Sequence, residues 1–245
     1  WEDDMYTHEK KILFSDIDMS AKMSVSGILN ALQDCVNINS ESIGRGIRYM
    51  KETARAWFAI SWNIEIKRYP EMFENVVVKT WPYAFSASMG YRNVIITDSD
   101  GNDIICADSI WTLVDTNTGR PVKIMDEDRK GYDTEPEYPI EKPGRKIRLP
   151  KDIPHVGEAA VCRADIDFNG HMSNARYIQM AMEYVPFDVD ITRIRVEYKK
   201  QSKYGEKLSV GCIYEDAEGG GHYILTFTGE EGQVRAIVEF TVNNG

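Results

Sequence analysis

Apolar residues recur at three- and four-residue steps in two stretches of the chain. In the first, Val25, Ile28, Leu29, Leu32, Cys35 and Val36 form one face of a helix. In the second, Ile178, Ala181, Met182 and Val185 do the same. Ser24 and Ser173 stand just ahead of these faces, where an N-cap belongs. After each helix the pattern changes to β-branched and aromatic runs, the signature of strands. SWNIEIKRYPEMFENVVVKTW follows the first and IRVEYKKQSKYGEKLSVGCIY the second. Ile64-Glu65-Ile66-Lys67-Arg68 then lies over Val196-Glu197-Tyr198-Lys199-Lys200. Further on, MGYRNVIITDSDGNDIICADSIWTLV and GHYILTFTGEEGQVRAIVEFTV each read as a hairpin around a Gly-containing turn. A helix and then several antiparallel strands, twice over, predicts an α+β repeat.

Each helix is preceded by a common phrase. FSDIDMSAKMSVSG in the first half aligns with RADIDFNGHMSNAR in the second, so that Ser20 faces Asn169 and Lys22 faces His171. Between the copies, DEDRKGYDTEPEYPIEKPGRKIRLPKDIP is dense in charge and proline and reads as a crossing linker. The expected organisation is a first unit over 1–130, a linker over 131–150 and a second unit over 151–245.

Bulk properties exclude several classes. With 245 residues and 42% hydrophobic residues the chain is long and apolar enough for a substantial core. A net charge of −10 argues against general nucleic-acid binding, which needs a basic footprint. The four cysteines (Cys35, Cys106, Cys162 and Cys212) are scattered without metal-ligand or disulfide spacing, and no Gly-rich phosphate loop occurs. No apolar run reaches the roughly 20 residues of a membrane helix. The charged start WEDDMYTHEKK is unlike a secretory or transit leader, so a cytoplasmic protein is expected, although a chain beginning on Trp1 leaves room for a trimmed one.

The paired phrases resemble the hot-dog fold, a curved antiparallel sheet around one long central helix. Two copies in one chain resemble a tandem double hot dog. More narrowly, DFNGHMSNARYI resembles the D-x-N-x-H-x-x-N-x-x-Y signature of the acyl-acyl-carrier-protein (acyl-ACP) thioesterases. AWFAISWNIEIKRYPEMFENVVVKTW and ADSIWTLVDTNTGRPVKI are also similar to that family, so the resemblance runs from about Lys11 onward. It implies hydrolysis of fatty acyl-ACP to free fatty acid, no metal or organic cofactor, acyl-ACP as the partner and a homodimer as one assembly. An acyl-CoA thioesterase and a non-catalytic acyl-thioester-binding protein are the alternatives.

The resemblance implies a site at Asp167, Asn169 and His171, with Gln201 beside it. Thioester hydrolysis needs donors aimed at a developing oxyanion and a group to activate water. A helix N-terminus with an adjacent amide supplies the first; a carboxylate with an imidazole supplies the second. On an extended approach to the helix the three alternating side chains would point one way. The first copy keeps Asp18 but has Ser20 and Lys22, so it is expected to serve as scaffold and acyl-chain room. Taken singly, an Asx residue before a helix is more often a cap, and a lone histidine such as His8, His155 or His222 more often a surface or core residue. Trp57, Trp62, Trp81 and Trp111 fit core packing as well as an acyl pocket. Asn174 and Tyr177 fit helix stabilisation as well as substrate contact.

The family commonly carries a glutamate, and its plant members a following cysteine, where Gln201 and Ser202 stand. Asp167 is therefore expected as general base or nucleophile, with Gln201 able to orient water but not to take a proton. Strand alternation groups Gln201 with Arg195, Glu197 and Lys199 on a solvent face. The basic run Arg193, Arg195, Lys199, Lys200, Lys203 and Lys207 is a candidate docking surface for an acidic carrier protein.

Overall fold

A computed structural model describes residues 5–243. The described chain divides into two compact units, one of residues 5–60 and 66–141 and the other of residues 61–65 and 142–243. Each joins a main helix to antiparallel strands, in keeping with the α+β repeat.

In the first unit, β1 (Tyr6–Lys11) leads through a 3-10 turn (Phe14–Asp16) to α1 (Val25–Ser42) and α2 (Ile47–Thr53). Then come β2 (Arg55–Ile66), β3 (Asn75–Ser86), β4 (Met89–Thr97), β5 (Asp103–Asp115), β6 (Arg120–Pro121) and the one-turn α3 (Asp126–Arg129). The hydrogen-bonded order is β1-β3-β4-β5-β2, with β6 on β5. All six residues of the expected α1 face are buried, and the helix packs on β3 and β4. Ile28, Leu29 and Leu32 are wholly buried, each worth about 1.5–3 kcal/mol by transfer from water. Trp81 and Trp111 are core residues whose indole N–H groups donate to the Pro136 carbonyl and the Ser109 hydroxyl, both at 2.9 Å.

In the second unit, β7 (His155–Ala160) leads through a 3-10 turn (Arg163–Asp165) to α4 (Asn174–Met182). The strands β8 (Asp190–Tyr198), β9 (Lys207–Ala217), β10 (Gly220–Gly229) and β11 (Val234–Asn243) follow. Here the order is residues 61–65 of β2, then β8-β11-β10-β9-β7. The helix packs on β11 and buries Ala175, Tyr177, Ile178 and Ala181. It is shorter than the apolar pattern suggests: Val185 is buried but lies beyond the last helical residue.

The proline- and charge-rich stretch between the repeats is bound into the units. Asp128 is buried and ion-paired with Arg55 at 2.6 Å, Tyr138 donates its N–H to Asn93, and Tyr132, Ile140 and Ile147 are buried. The last of these overturns one expectation from strand alternation. Arg195 and Glu197 are buried, not on a solvent face, because residues 144–147 lie over that side of β8. Arg195 donates to Glu239 at 2.7 Å and to the Gly144 carbonyl at 2.7 Å, while Glu197 accepts from the Ile147 N–H at 3.3 Å.

Candidate active site

The phrase that precedes each helix folds the same way twice. In the second unit the Asp165 carboxylate accepts from the Cys162 N–H at 2.7 Å, closing the 3-10 turn. The Asp167 N–H donates to the His171 carbonyl at 2.9 Å, and Ile166 bridges Met172. The first unit repeats each contact, with Leu13 on Asp16, Asp18 on Lys22 and Ile17 against Met23. Both turns need a left-handed residue at their fourth position. Gly170 takes it at φ +76° without strain, whereas Ala21 takes it at φ +59°.

This turn corrects the extended approach expected for Asp167, Asn169 and His171. The three residues belong to one tight loop, so strand alternation does not apply to them. Asp167 Oδ1 accepts the Asn169 backbone N–H at 2.8 Å, an Asx turn that fixes one carboxylate oxygen. In the first copy Asp18 Oδ1 accepts both the N–H and the hydroxyl of Ser20, at 2.8 and 2.6 Å, so its serine is spent on the turn itself. Asp167, Asn169 and His171 are half-buried, and His171 Nδ1 is shut from solvent with no hydrogen-bond partner among the described residues.

The two helix N-termini also differ. Ser24 Oγ accepts the Gly27 N–H at 3.0 Å and so caps α1. Ser173 occupies the same position before α4, but its side chain makes no cap bond. The Arg176 N–H instead donates to the Ser173 carbonyl at 3.0 Å, tightening the first turn. The start of α4 therefore keeps its N–H groups free of a side-chain cap, directly after the loop that carries the carboxylate and the imidazole. That combination can hold a carbonyl oxygen as it gains negative charge and can bring water to the carbon beside it.

The segment after β8 completes the surroundings. The Met172 N–H, next to His171, donates to the Ser202 carbonyl at 2.9 Å. Ser202 is wholly buried, and the Tyr177 phenol donates to its Oγ at 2.9 Å. A serine so engaged, with no imidazole bonded to it, is not activated as a nucleophile. Gln201, one residue earlier, is exposed. The Tyr198 hydroxyl donates to the Asn174 carbonyl in the first turn of α4 at 3.0 Å. Burial pushes the Tyr177 phenol above its ordinary range and the Tyr198 phenol well above it, so both stay protonated donors. These two tyrosine contacts were not assigned from sequence. The signal was present in the repeat, where Tyr177, Tyr198 and Ser202 align with Ile28, Ile66 and Pro70.

The basic run contracts on inspection. Arg195 is taken by Glu239, Lys199 by Glu197 at 2.6 Å, Lys200 by Glu231 and Gln233, and Arg193 approaches Glu65 at 3.5 Å. Lys203 and Lys207 remain as exposed cations. Of the other histidines, His155 and His222 meet the hydroxyls of Ser209 and Thr241 at 3.0 and 3.2 Å. All four cysteines are free thiols, and burial pushes Cys35 up to about 12.

Residues 3–132 match the model of the acyl-ACP thioesterase N-terminal domain, and residues 151–243 match that of the C-terminal domain. The oleoyl-acyl carrier protein thioesterase of Coriandrum sativum is 25% identical over 212 residues, covering 78% of this chain and 58% of the relative. Across three such chloroplastic proteins the chain spans 54–61% of their length. An acyl-ACP thioesterase from Bacteroides thetaiotaomicron superposes with a TM-score of 0.86 at 24% identity, covering 98% of both chains. A 12:0-ACP thioesterase from Umbellularia californica superposes at 0.85 with 17% identity, covering 99% of this chain and 98% of the other.

Proposed function

The chain belongs to the acyl-ACP thioesterase family, and from that premise we propose that it hydrolyses fatty acyl-ACP to release free fatty acid. The observation that carries this reading is local: a carboxylate, an amide and an imidazole sit on one loop ahead of an uncapped helix, in only one of two otherwise matching turns. On the same reading the two units are tandem hot dogs, the second reactive and the first providing room for the acyl chain.

In this scheme the α4 N-terminus and Asn169 receive the thioester oxygen as the carbon turns tetrahedral. Asp167 holds one oxygen in the Asx turn and presents the other to water, taking its proton as oxygen attacks the carbonyl carbon. The carbon–sulfur bond then breaks, the electron pair goes to sulfur, and the thiolate collects the proton. His171, with Nδ1 sealed in the protein, works through Nε2 to hold water or thioester. Gln201 orients water by hydrogen bonding.

Gln201 favours one second reading. Where the family resemblance implies a glutamate this chain carries a group that cannot accept a proton, as a non-catalytic acyl-thioester-binding protein would. Turnover of acyl-ACP and acyl-CoA at equal concentrations separates the readings. The proposal expects release of fatty acid from acyl-ACP at the higher kcat/KM; preference for acyl-CoA, or binding of both without turnover, would reject it.

A further inference from the structure

Three positions distinguish the surroundings of the two turns in a way that their own sequences do not. In the second unit they are Tyr177 in α4, Tyr198 at the end of β8 and Ser202 in the segment after it; each carries a hydroxyl. In the first unit the matching positions are Ile28, Ile66 and Pro70, all buried and all hydrocarbon. The backbone link is common to both, since the Met23 N–H donates to the Pro70 carbonyl at 2.7 Å as the Met172 N–H does to Ser202. The side-chain links belong to the second unit alone.

These links converge on a short piece of chain. Tyr177 reaches Ser202 at 2.9 Å, Tyr198 reaches the Asn174 carbonyl at 3.0 Å, and the two phenol rings pack at 5.9 Å between centroids. Phe227 closes over Tyr177 edge-on at 5.7 Å. A hydrocarbon filling would serve packing equally well, as the first unit demonstrates, and a buried hydroxyl must be satisfied or it destabilises the fold. What hydroxyls add is direction. They fix the first turn of α4 and the segment at Gln201–Ser202 relative to each other, with the loop of Asp167, Asn169 and His171 tied between them.

We infer that Tyr177, Tyr198 and Ser202 are positioning residues, a hydroxyl brace that holds the helix N-terminus and the 167–172 loop in reacting register. Ser202 acts in it through Tyr177 and not as a nucleophile. The inference rests on the reading of that loop as the reacting site. Small displacements there are costly, because a misplacement of about 1 Å can lower rate by about a hundredfold.

The test uses the full chain and a saturated acyl-ACP series, with the best-turned-over member kept throughout. Tyr177→Phe keeps the ring and its packing, so it is expected to fold. Its kcat should fall about tenfold with KM nearly unchanged, a fraction of the loss that full misplacement brings. Ser202→Ala should match it, and the double variant should be no slower than either, since both remove one bond. Ser202→Cys, which keeps a weak acceptor, should recover part of the loss. Ile224→Val in β10 serves as a packing control that lowers the melting temperature and leaves kcat alone. Tyr177→Phe with lowered melting but unchanged kcat, or single effects that multiply, would overturn the brace. A wild type that turns over no acyl thioester would overturn the function proposed above and the brace with it.

Discussion

The loop at Asp16–Ser24 and the loop at Asp165–Ser173 trace nearly the same hydrogen bonds with different side chains. In the first, serine is consumed by the turn and by the helix cap, and its neighbours Ile28, Ile66 and Pro70 are apolar. In the second, the cap is open, an imidazole replaces a lysine, and hydroxyls surround the loop. The difference teaches that the shape of the turn is scaffold. On the proposed reading, chemistry comes from what the turn leaves unsatisfied.

The largest effects should come from removing that difference. Asp167→Asn, Asn169→Ala and His171→Ala are each expected to lower turnover by about a hundredfold or more, the scale of losing an acid–base group or an oxyanion donor. The same positions in the first loop, changed as Asp18→Asn, Ser20→Ala and Lys22→Ala, should shift melting temperature and leave kcat in place. Steady-state kinetics on folded protein checks both halves. Near-normal turnover in His171→Ala would erase the distinction between the loops.

A second contrast sets the buried carboxylate of Asp128 in the first unit against the half-buried Asp167 of the second loop. Burial alone would raise the Asp128 carboxyl, but hydrogen bonds from Arg55, the Met125 N–H and Tyr49 more than offset it and hold the group below its ordinary value. Asp128→Asn leaves Arg55 without its charged partner and should cost about 3 kcal/mol of stability. The contribution is complete above the ordinary carboxylate range and fades as pH falls through the lower folded value. Chemical denaturation of wild type and variant across acid pH should therefore converge at the acid end. A gap that persists there would reject the assignment, while turnover per folded molecule should not change.

Much of this was legible beforehand, and the failures share a cause. The α1 face and the hairpins around Gly101 and Gly232 could be read from the local pattern, and the kinship of the two loops from their repeated phrase, because each depends on neighbours in sequence; the tight turn within the loops was not read. The burial of Arg195 and Glu197 could not, because residues 144–147 cover them from far along the chain. Likewise Ser173 has the identity of a cap without the bond, since that bond is decided by geometry and not by residue type. Tyr177 stood in plain view within the motif, yet its partner Ser202 lies 25 residues away.

Two smaller effects sharpen the picture around Gln201. Gln201→Glu places a carboxylate beside the segment that meets the Asp167 loop. Two nearby carboxylates disfavour joint ionisation, so the acid limb of the pH–rate profile should move to higher pH. An unchanged profile at unchanged rate would put position 201 outside the chemistry, in keeping with its exposure. The smallest effect concerns salt. With Arg195, Lys199 and Lys200 already engaged, Lys203 and Lys207 remain to meet an acidic carrier. Raising salt should increase KM for acyl-ACP only about twofold to threefold and leave a small acyl thioester unaffected. A steep dependence would point to a different, more basic docking face.

Residues 61–65 sit in the sequence of the first half and pair with β8 in the second unit, from Ser61 on Glu197 to Glu65 on Arg193. No single cut of the chain yields both units whole. A fragment starting at residue 142 would present the main-chain donors and acceptors of β8 to solvent along an unpaired edge, with Ile194 and Val196 beside it. Such an edge invites pairing with other copies, so the fragment should precipitate or self-associate when produced alone. Adding a peptide spanning Ser61–Glu65 in trans is the natural remedy.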